Sequence, residues 1–387
     1  MLRFLTAGES HGRALVVIVE GLPAGLPLTV EDVQRELARR RLGYGRGPRM
    51  KFEQDDVTLL GGVRHGRTLG SPLAIEIGNT EWVRSDKWHE EMSPAPGETK
   101  SPLTQPRPGH ADLAGMQKYG LPEARSVLER ASARETAARV AAGTAAKLLL
   151  QEIDVDILSH TIQMGRAKAK DSLRPQFADL DRVDDSPVRS FDPDAEQAMI
   201  EEIKAAAKDG DSLGGATEVL AYGVPVGLGS HVHWDRKLDS LLAAALMSIQ
   251  AVKAVEIGDG IDVAGRRGSE AHDPIAWDAT TNTYRRESDF AGGVEGGIST
   301  GALLAARAYM KPLATLNRPV LKTVDVNTKE ETVSFKERTD VTAVPALGVV
   351  AEAMVALVLA SEALRKFGGD SVDEFVRNKN AFVASLA

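Results

Sequence analysis

The 387-residue sequence predicts an α+β fold of two pseudo-equivalent halves, with sheets flanking a helical layer. Three observations predict it. A glycine-rich motif is written twice, short alternating segments bounded by Gly and Pro recur in both halves, and each half closes on a long stretch of helical pattern.

The repeat comes first. GESHGRALVVIVEGLPAGL from Gly8 aligns with GDSLGGATEVLAYGVPVGL from Gly210, so that Gly8, Ser10, Gly12, Ala14, Gly21, Pro23, Gly25 and Leu26 recur as Gly210, Ser212, Gly214, Ala216, Gly223, Pro225, Gly227 and Leu228. Further along, GGVRHGRTLGSPLA from Gly61 is echoed by GGVEGGISTGALLA from Gly292. The same order in each half predicts an internal pseudo-repeat, approximately 1–155 and 200–368, within one domain spanning 1–387. Shared glycines suit a shared turn, because glycine permits positive φ or close backbone approach. His11 is not shared, since Leu213 stands in its place. A residue that differs where the scaffold repeats is a candidate for function.

The elements follow in order. ALVVIVEGL, SPLAIEIGN, ATEVLAYGV, KAVEIGDGI and ALLAARAYM are predicted as strands, being short and either β-branched or alternating. A helix is predicted over 30–40. Residues 123–152 are Ala-rich and free of proline, with Val127, Ala131, Ala138, Ala142, Ala145 and Leu149 at helical spacing, and predict one long helix. Its counterpart begins at Val344. Small or apolar residues on nearly every face make both helices interior. Residues 344–360 are shorter than the roughly 20 a bilayer core requires and carry Pro345 and Glu352, so a helix enclosed by protein is predicted, stopped by Gly368 and Gly369. Residues 80–110, with Pro94, Pro96, Pro102, Pro106 and Pro108, resist any regular element and suit a lid or binding loop. Residues 166–197 are charged and proline-punctuated, which predicts a joint between the halves or an insertion.

Composition narrows the function. Lys plus Arg number 47 against 55 Asp plus Glu, a net charge of −8, which disfavours nucleic acid as a partner and requires any anion site to be local. The absence of cysteine removes disulfides, thiolate nucleophiles and zinc-thiolate sites. Residues 1–6 lack the basic segment and apolar core of a signal peptide, so a cytoplasmic location is expected and no membrane association. There is no GxxxxGK[ST] loop, no GxGxxG after a first strand and no GxSxG elbow.

What remains is a set of cationic and imidazole groups. Arg39, Arg40 and Arg41 close the helix over 30–40, where cations suit the dipole. Arg46 and Arg49 sit instead in the glycine loop GYGRGPR, suited to bidentate binding of carboxylate or phosphate, with solvated surface as the alternative. His110 in RPGHAD either caps the next element or acts as an acid beside Arg107. Arg130 and Arg134, with Ser132 between them, need partners inside a buried helix, supplied by carboxylates such as Glu129 and Glu135 or by a ligand. Arg338 and Asp340 face the same way if extended, as a salt-bridging pair or as an anion clamp beside a carboxylate base. His231, His233 and Asp235 are expected to be an ordinary strand pair rather than a metal site, and no metal is expected. Lys311–Thr315 offers a lysine, a hydroxyl and backbone amides to a phosphate. Together these features predict an enzyme for a small, multiply anionic molecule, with histidine acids and an aspartate base.

GESHG, GRGPRMKFEQD, RPGHAD, ERASARETAARVAAG, GDSLGG, SHVHWDRKLD, IQAVKAVEIGDG, GGVEGGISTG, MKPLAT and ERTDVTAVP, in this order from Phe4 to about Leu364, closely resemble the chorismate synthase family. The resemblance implies a β-α-β sandwich and a homotetramer. It implies a lyase that makes chorismate from the small-molecule substrate 5-enolpyruvylshikimate 3-phosphate by 1,4-anti elimination of phosphate, with reduced FMN as a required cofactor and no net redox change. This is the last step of the shikimate pathway to the aromatic amino acids. By resemblance, His11 assists the leaving phosphate as an acid, His110 protonates or steadies the reduced flavin, and Asp340 helps the flavin region accept the ring proton. Ser10, Arg40, Arg46, Arg49, Arg107, Arg134 and Arg338 hold the phosphate and carboxylates of the substrate. Flavin contacts fall on Arg130, Ala131, Ser132, Gln250, Ala251, Gly296, Lys311, Pro312, Leu313, Ala314, Thr315 and Arg338. Many relatives have serine where this chain has Ala131, so only a backbone contact is implied there. NADPH enters as a reductant of the flavin. Two other functions are compatible with the residues: a flavin reductase consuming NADPH, and an RNA-binding protein using the arginine loop.

Overall fold

The computed structural model describes residues 2–46, 55–280, 282–334 and 340–386. Two antiparallel sheets frame it. The first runs in the order Arg3–Ala7, Ala14–Glu20, Leu73–Gly78, Asp56–Gly61, and the second Val252–Ile257, Leu304–Met310, Gly215–Tyr222, Asp156–Met164, Ala167–Lys168. Side-chain alternation decides which face is covered. Along Ala14–Glu20, Leu15, Val17 and Val19 are buried while Ile18 and Glu20 are exposed.

Once the repeats are aligned, the two sheets share one register. Ala14 stands opposite Gly78 as Ala216 stands opposite Tyr309, and Val57 opposite Ile77 as Val255 opposite Ala308. A hydroxyl fastens the same turn in each half. Thr68 Oγ1 donates to Pro23 O and accepts from Leu26 N, and Ser299 Oγ does the same between Pro225 O and Leu228 N. Gly8 has φ +97°, and a Cβ there would lie 2.3 Å from Ala14 O, so the turn before His11 requires glycine.

The outer faces differ. On the second sheet Leu158, Leu220 and Ala305 are buried beneath Phe177 and Leu180, whereas the aligned Leu5 and Ile18 of the first sheet are 71% and 43% exposed. Residues 166–197 therefore act as a cover for one sheet.

Helix Thr136–Gln151 packs on the first sheet, helix Val344–Phe367 on the second, and the two helices pack on each other. Alanines 137, 138, 141, 142, 145 and 146 are buried and allow the close approach. At Gly143 an added Cβ would lie 2.3 Å from Ala353 Cβ. Gly143→Val is expected to cost about 1–3 kcal/mol of stability, read from the urea midpoint, because the backbones must separate to admit it. Helix Val30–Arg41 lies against both helices, and its N-terminus is closed by a Thr29–Asp32 capping box.

Several elements depart from the sequence expectation. The single helix over 123–152 is broken at Ser132, whose ψ is 141°, into Arg125–Ala131, a short 3₁₀ turn Ala133–Glu135, and Thr136–Gln151. Residues 80–110 contain two short helices, Thr80–Arg84 and Asp86–Glu91. His231 and His233 lie in exposed loop before a 3₁₀ turn, not in a strand, and His233 Nδ1 is 2.8 Å from Asp235 Oδ1. The apolar helix extends beyond residue 360 to Phe367, which makes it long enough to cross a bilayer, but protein encloses it.

That helix carries a buried carboxylate. Glu352 accepts from Arg39 at 2.7 and 3.0 Å, Lys147 at 2.5 Å, Arg189 at 3.1 Å and Ser159 Oγ at 2.6 Å. Burial alone would raise its carboxyl, but these three cations outweigh it and hold the group well below the usual carboxylate range. Glu218 behaves alike on the second sheet. Burial opposes ionisation there, yet His160 and Arg174 bring its carboxyl down to about 2.

A carboxylate depressed in the folded state contributes stability above its unfolded pKa, near 4.3 for Glu, and that contribution is lost as pH falls toward the folded value. The urea midpoint is therefore expected to fall between about pH 4.5 and 2. Glu218→Gln should flatten part of that fall, and an unchanged acid profile would contradict it.

Candidate active site

The two halves enclose a cavity of about 970 Å³, large for a ligand site. Seven arginines and lysines among the described residues line it, namely Arg40, Arg46, Arg84, Lys87, Arg107, Arg134 and Lys311, against the carboxylates Glu81 and Asp340. In an acidic protein this is a local gathering of cations.

His11 reaches the cavity from the loop after the first strand. Asn79 Nδ2 donates to Glu9 O and Gly12 O, and Ser10 N donates to Glu129 O, which pins both ends of the loop. Ser10 Oγ accepts from Ser132 Oγ at 3.1 Å, joining this loop to the break in the helix. The His11 ring stacks on Trp88, centroids 3.9 Å apart, with Glu129 at Nδ1 and Glu81 at Nε2.

The arginines are held from behind. Arg40, at the end of its helix, donates to Thr136 Oγ1 and Ala133 O, so it serves the cavity as well as the helix terminus. Arg134 donates to Asp55, Asn79 and Gly78 O. Among the described residues its carboxylate partner is Asp55 rather than Glu129 or Glu135, because the break at Ser132 turns Arg134 toward the first sheet. Arg46 lies 3.1 Å from Asp340. Arg49 and Arg338 fall outside the described residues.

Arg107 and His110 share one buried anchor. Arg107 N, Nε and Nη2 all donate to Asp112, whose other neighbour is His110 Nδ1. Burial would raise the Asp112 carboxyl, but hydrogen bonds from His110 and Arg107 hold it well below the usual range. His110 Nδ1, which meets both Asp112 Oδ1 and Arg107 Nη2, is thereby held on the side of this anchor.

An apolar wall completes the site. Ile249, Met310, Ala346, Leu347 and Val350 line it beside Ala131, Ala251 and the segment Lys311, Pro312, Leu313, Ala314 and Thr315. Gln250 Nε2 donates to Glu135, while Gln250 Oε1 is buried with no partner among the described residues. An apolar wall of this kind fits a flat heteroaromatic ring such as isoalloxazine. Lys311 Nζ donates to Gly109 O, a contact between the first and second parts of the chain, and its backbone N donates to Ala251 O.

Two expected contacts lie elsewhere. Arg130 is not in the cavity lining, and its guanidinium bonds Thr6 O, Thr6 Oγ1 and Gly8 O, fastening the helix to the first strand. Gly296 occupies a hairpin turn at φ +59°, where its aligned residue His65 has φ +51°. Sequence reasoning in turn missed Glu81, Arg84, Lys87 and Trp88, which the two short helices bring to the rim.

A family model described as chorismate synthase matches residues 2–364. A chorismate synthase of Streptomyces coelicolor is 60% identical, covering 100% of this chain and 98% of that protein. One of Mycolicibacterium smegmatis is 57% identical with the same coverage. A crystal structure of chorismate synthase superposes with a TM-score of 0.79 at 39% identity, covering 100% of this chain and 98% of the other. By sequence and by fold alike, the chain belongs to the chorismate synthase family.

Proposed function

We propose that this cavity takes 5-enolpyruvylshikimate 3-phosphate and reduced FMN together, and that the chain eliminates phosphate in the 1,4-anti sense to give chorismate. The observation that carries the proposal is the meeting of a cationic lining with an apolar wall at one pair of histidines. Two like unit charges roughly 4 Å apart repel by about 4 kcal/mol at an effective dielectric near 20, so several anions crowded into one cavity need counter-charge. Arg40, Arg46, Arg107 and Arg134 supply it, oriented in advance by Thr136, Asp340, Asp112 and Asp55. Arg49 and Arg338 are assigned to the same task on the family resemblance.

His11 Nε2 gives a proton to the departing phosphate, and Ser10 stands beside it to donate a hydrogen bond. Asp340, in the same lining, assists acceptance of the ring proton at the cofactor, and His110 presents Nε2 to the cofactor with Asp112 fixing its ring. Ala131, Ser132, Gln250, Ala251 and Lys311–Thr315 form the cofactor's wall. Reduced flavin, when bound, supplies electron density to the substrate and recovers it, which leaves no net oxidation.

A homotetrameric assembly, a cytoplasmic setting, NADPH as the source of reducing equivalents, and a β-α-β sandwich formed by internal duplication belong to the same proposal. The shared register of the two sheets supports the last.

Anaerobic mixing of pure protein, substrate and chemically reduced FMN tests the reaction. Phosphate and chorismate are expected in equal amounts, with neither formed when flavin is omitted. Steady loss of NADPH without release of phosphate would instead indicate a flavin reductase.

A further inference from the structure

Resting on the reading of His11 as an acid, we infer that Glu129 is a positioning residue that holds the His11 ring as a doubly protonated imidazolium with Nε2–H aimed into the cavity. Glu129 sits on the helix Arg125–Ala131 with its side chain buried, 118 residues along the chain from its partner. One carboxylate grips two parts of His11. Oε2 accepts from the backbone N at 2.8 Å, and Nδ1 lies 2.9 Å from Oε1 and 3.1 Å from Oε2. Backbone and ring are thus registered by the same group, which fixes the direction of the opposite ring nitrogen.

That nitrogen, Nε2, faces a second carboxylate, Glu81, at 3.1 Å. A neutral imidazole carries one N–H, so between two carboxylates one of its nitrogens would set a lone pair against an anion. Only the imidazolium satisfies both contacts. Trp88, stacked at 3.9 Å with planes 14° apart, presents a ring face that also favours a cation.

Two cations, Arg125 and Lys87, also stand over the Trp88 ring and oppose a charge on His11, and the carboxylates in direct contact with its two nitrogens offset them. Arg125, one turn before Glu129, approaches it at 3.5 Å and Glu91 at 3.8 Å, yet its Nε and Nη1 make no hydrogen bond among the described residues. Glu129 therefore holds its oxygens closer to His11 than to the cation one turn away on its own helix. Lys87, over the Trp88 ring at 4.9 Å, is a further charge on the packing elements. Glu81 differs from Glu129 in standing on a short rim helix and lining the cavity. It occupies the place at Nε2 that a phosphate oxygen takes when the acid acts, while Glu129 stays behind the ring.

The test uses the full-length protein with ¹⁵N-labelled histidine, observed by NMR at pH 7.5 without substrate or flavin. The wild type is expected to show both His11 ring nitrogens protonated, assigned by loss of the signals in His11→Asn. Glu129→Gln, which keeps the shape and an acceptor, is expected to convert one of them to the unprotonated form. It should also lower kcat by about 10- to 100-fold with a smaller change in KM, and move the basic limb of the kcat profile to lower pH. Glu129→Asp, which keeps the charge, should recover part of each effect.

A folded Glu129→Gln protein that retains the doubly protonated His11 would overturn the inference, as would a wild-type ring that is neutral. Because the NMR readout needs no turnover, a protein that shows the imidazolium but makes no chorismate would sink the proposed function and leave this inference standing.

Discussion

His11→Asn is expected to lower kcat by about 10²- to 10⁴-fold, the usual contribution of a general acid, while the urea midpoint stays close to that of the wild type. The amide can still donate to Glu129, so the buried carboxylate keeps a partner and the loop keeps its place. What is lost is the proton available at Nε2. Without it, phosphate must leave as a more highly charged anion, stabilised only by the arginines around it. Near-wild-type turnover by His11→Asn would remove the imidazole from the chemistry.

Glu352→Ala is expected to be the most damaging change to the fold. It leaves Arg39, Lys147 and Arg189 with the remaining carboxylates Glu36 and Asp184, inside the layer between the sheets. Breaking a buried ionic group from one side costs about 3–5 kcal/mol, against a typical total stability of about 5–15. The loss should appear as a large drop in the urea midpoint or as insoluble protein. It should also reach the active site indirectly, because Arg39 anchors the end of the helix that presents Arg40 to the cavity. A small change in midpoint would mean that water or rearranged side chains compensate.

How much of this could be read from the residues depends on how far each contact reaches along the chain. The matching turns were legible because a turn imposes local requirements: Gly8 adopts positive φ, and Pro23 and Pro225 mark the same hydroxyl-fastened corner. Helix Val30–Arg41 was legible within a residue, since its cap and its cationic end are both encoded locally. The break at Ser132 was not, because alanine-rich sequence on both sides favours helix through it. Its signal was present nonetheless: Ser132-Ala133-Arg134-Glu135 has the S-x-x-E form of a helix start, and Ser132 Oγ accepts from Arg134 N.

Among the site residues, His11 stood out by its place in the repeat, Arg107 by its proline context and Arg134 as a cation in a helix predicted to be buried, whereas Arg40 read as a helix end and was drawn to the site only by the family resemblance. Their counter-groups did not. Asp55, Asp112 and Glu129 become partners through folding, two of them across 79 and 118 residues of chain, and a single sequence carries no pairing information at that range. Trp88 and Glu81 were hidden for another reason. Five prolines further along 80–110 mask two helices of five and six residues, too short for periodicity to register.

In the proposed function the departing phosphate lies against His11 within the cation-lined cavity, with the flavin ring on the apolar wall beside Gln250. A crystal structure with the substrate and FMN bound tests it most directly. A phosphate oxygen within hydrogen-bonding distance of His11 Nε2, in the place now taken by Glu81, is the predicted result. A phosphate held at the far wall by Lys311, with His11 still paired to Glu81, would contradict it.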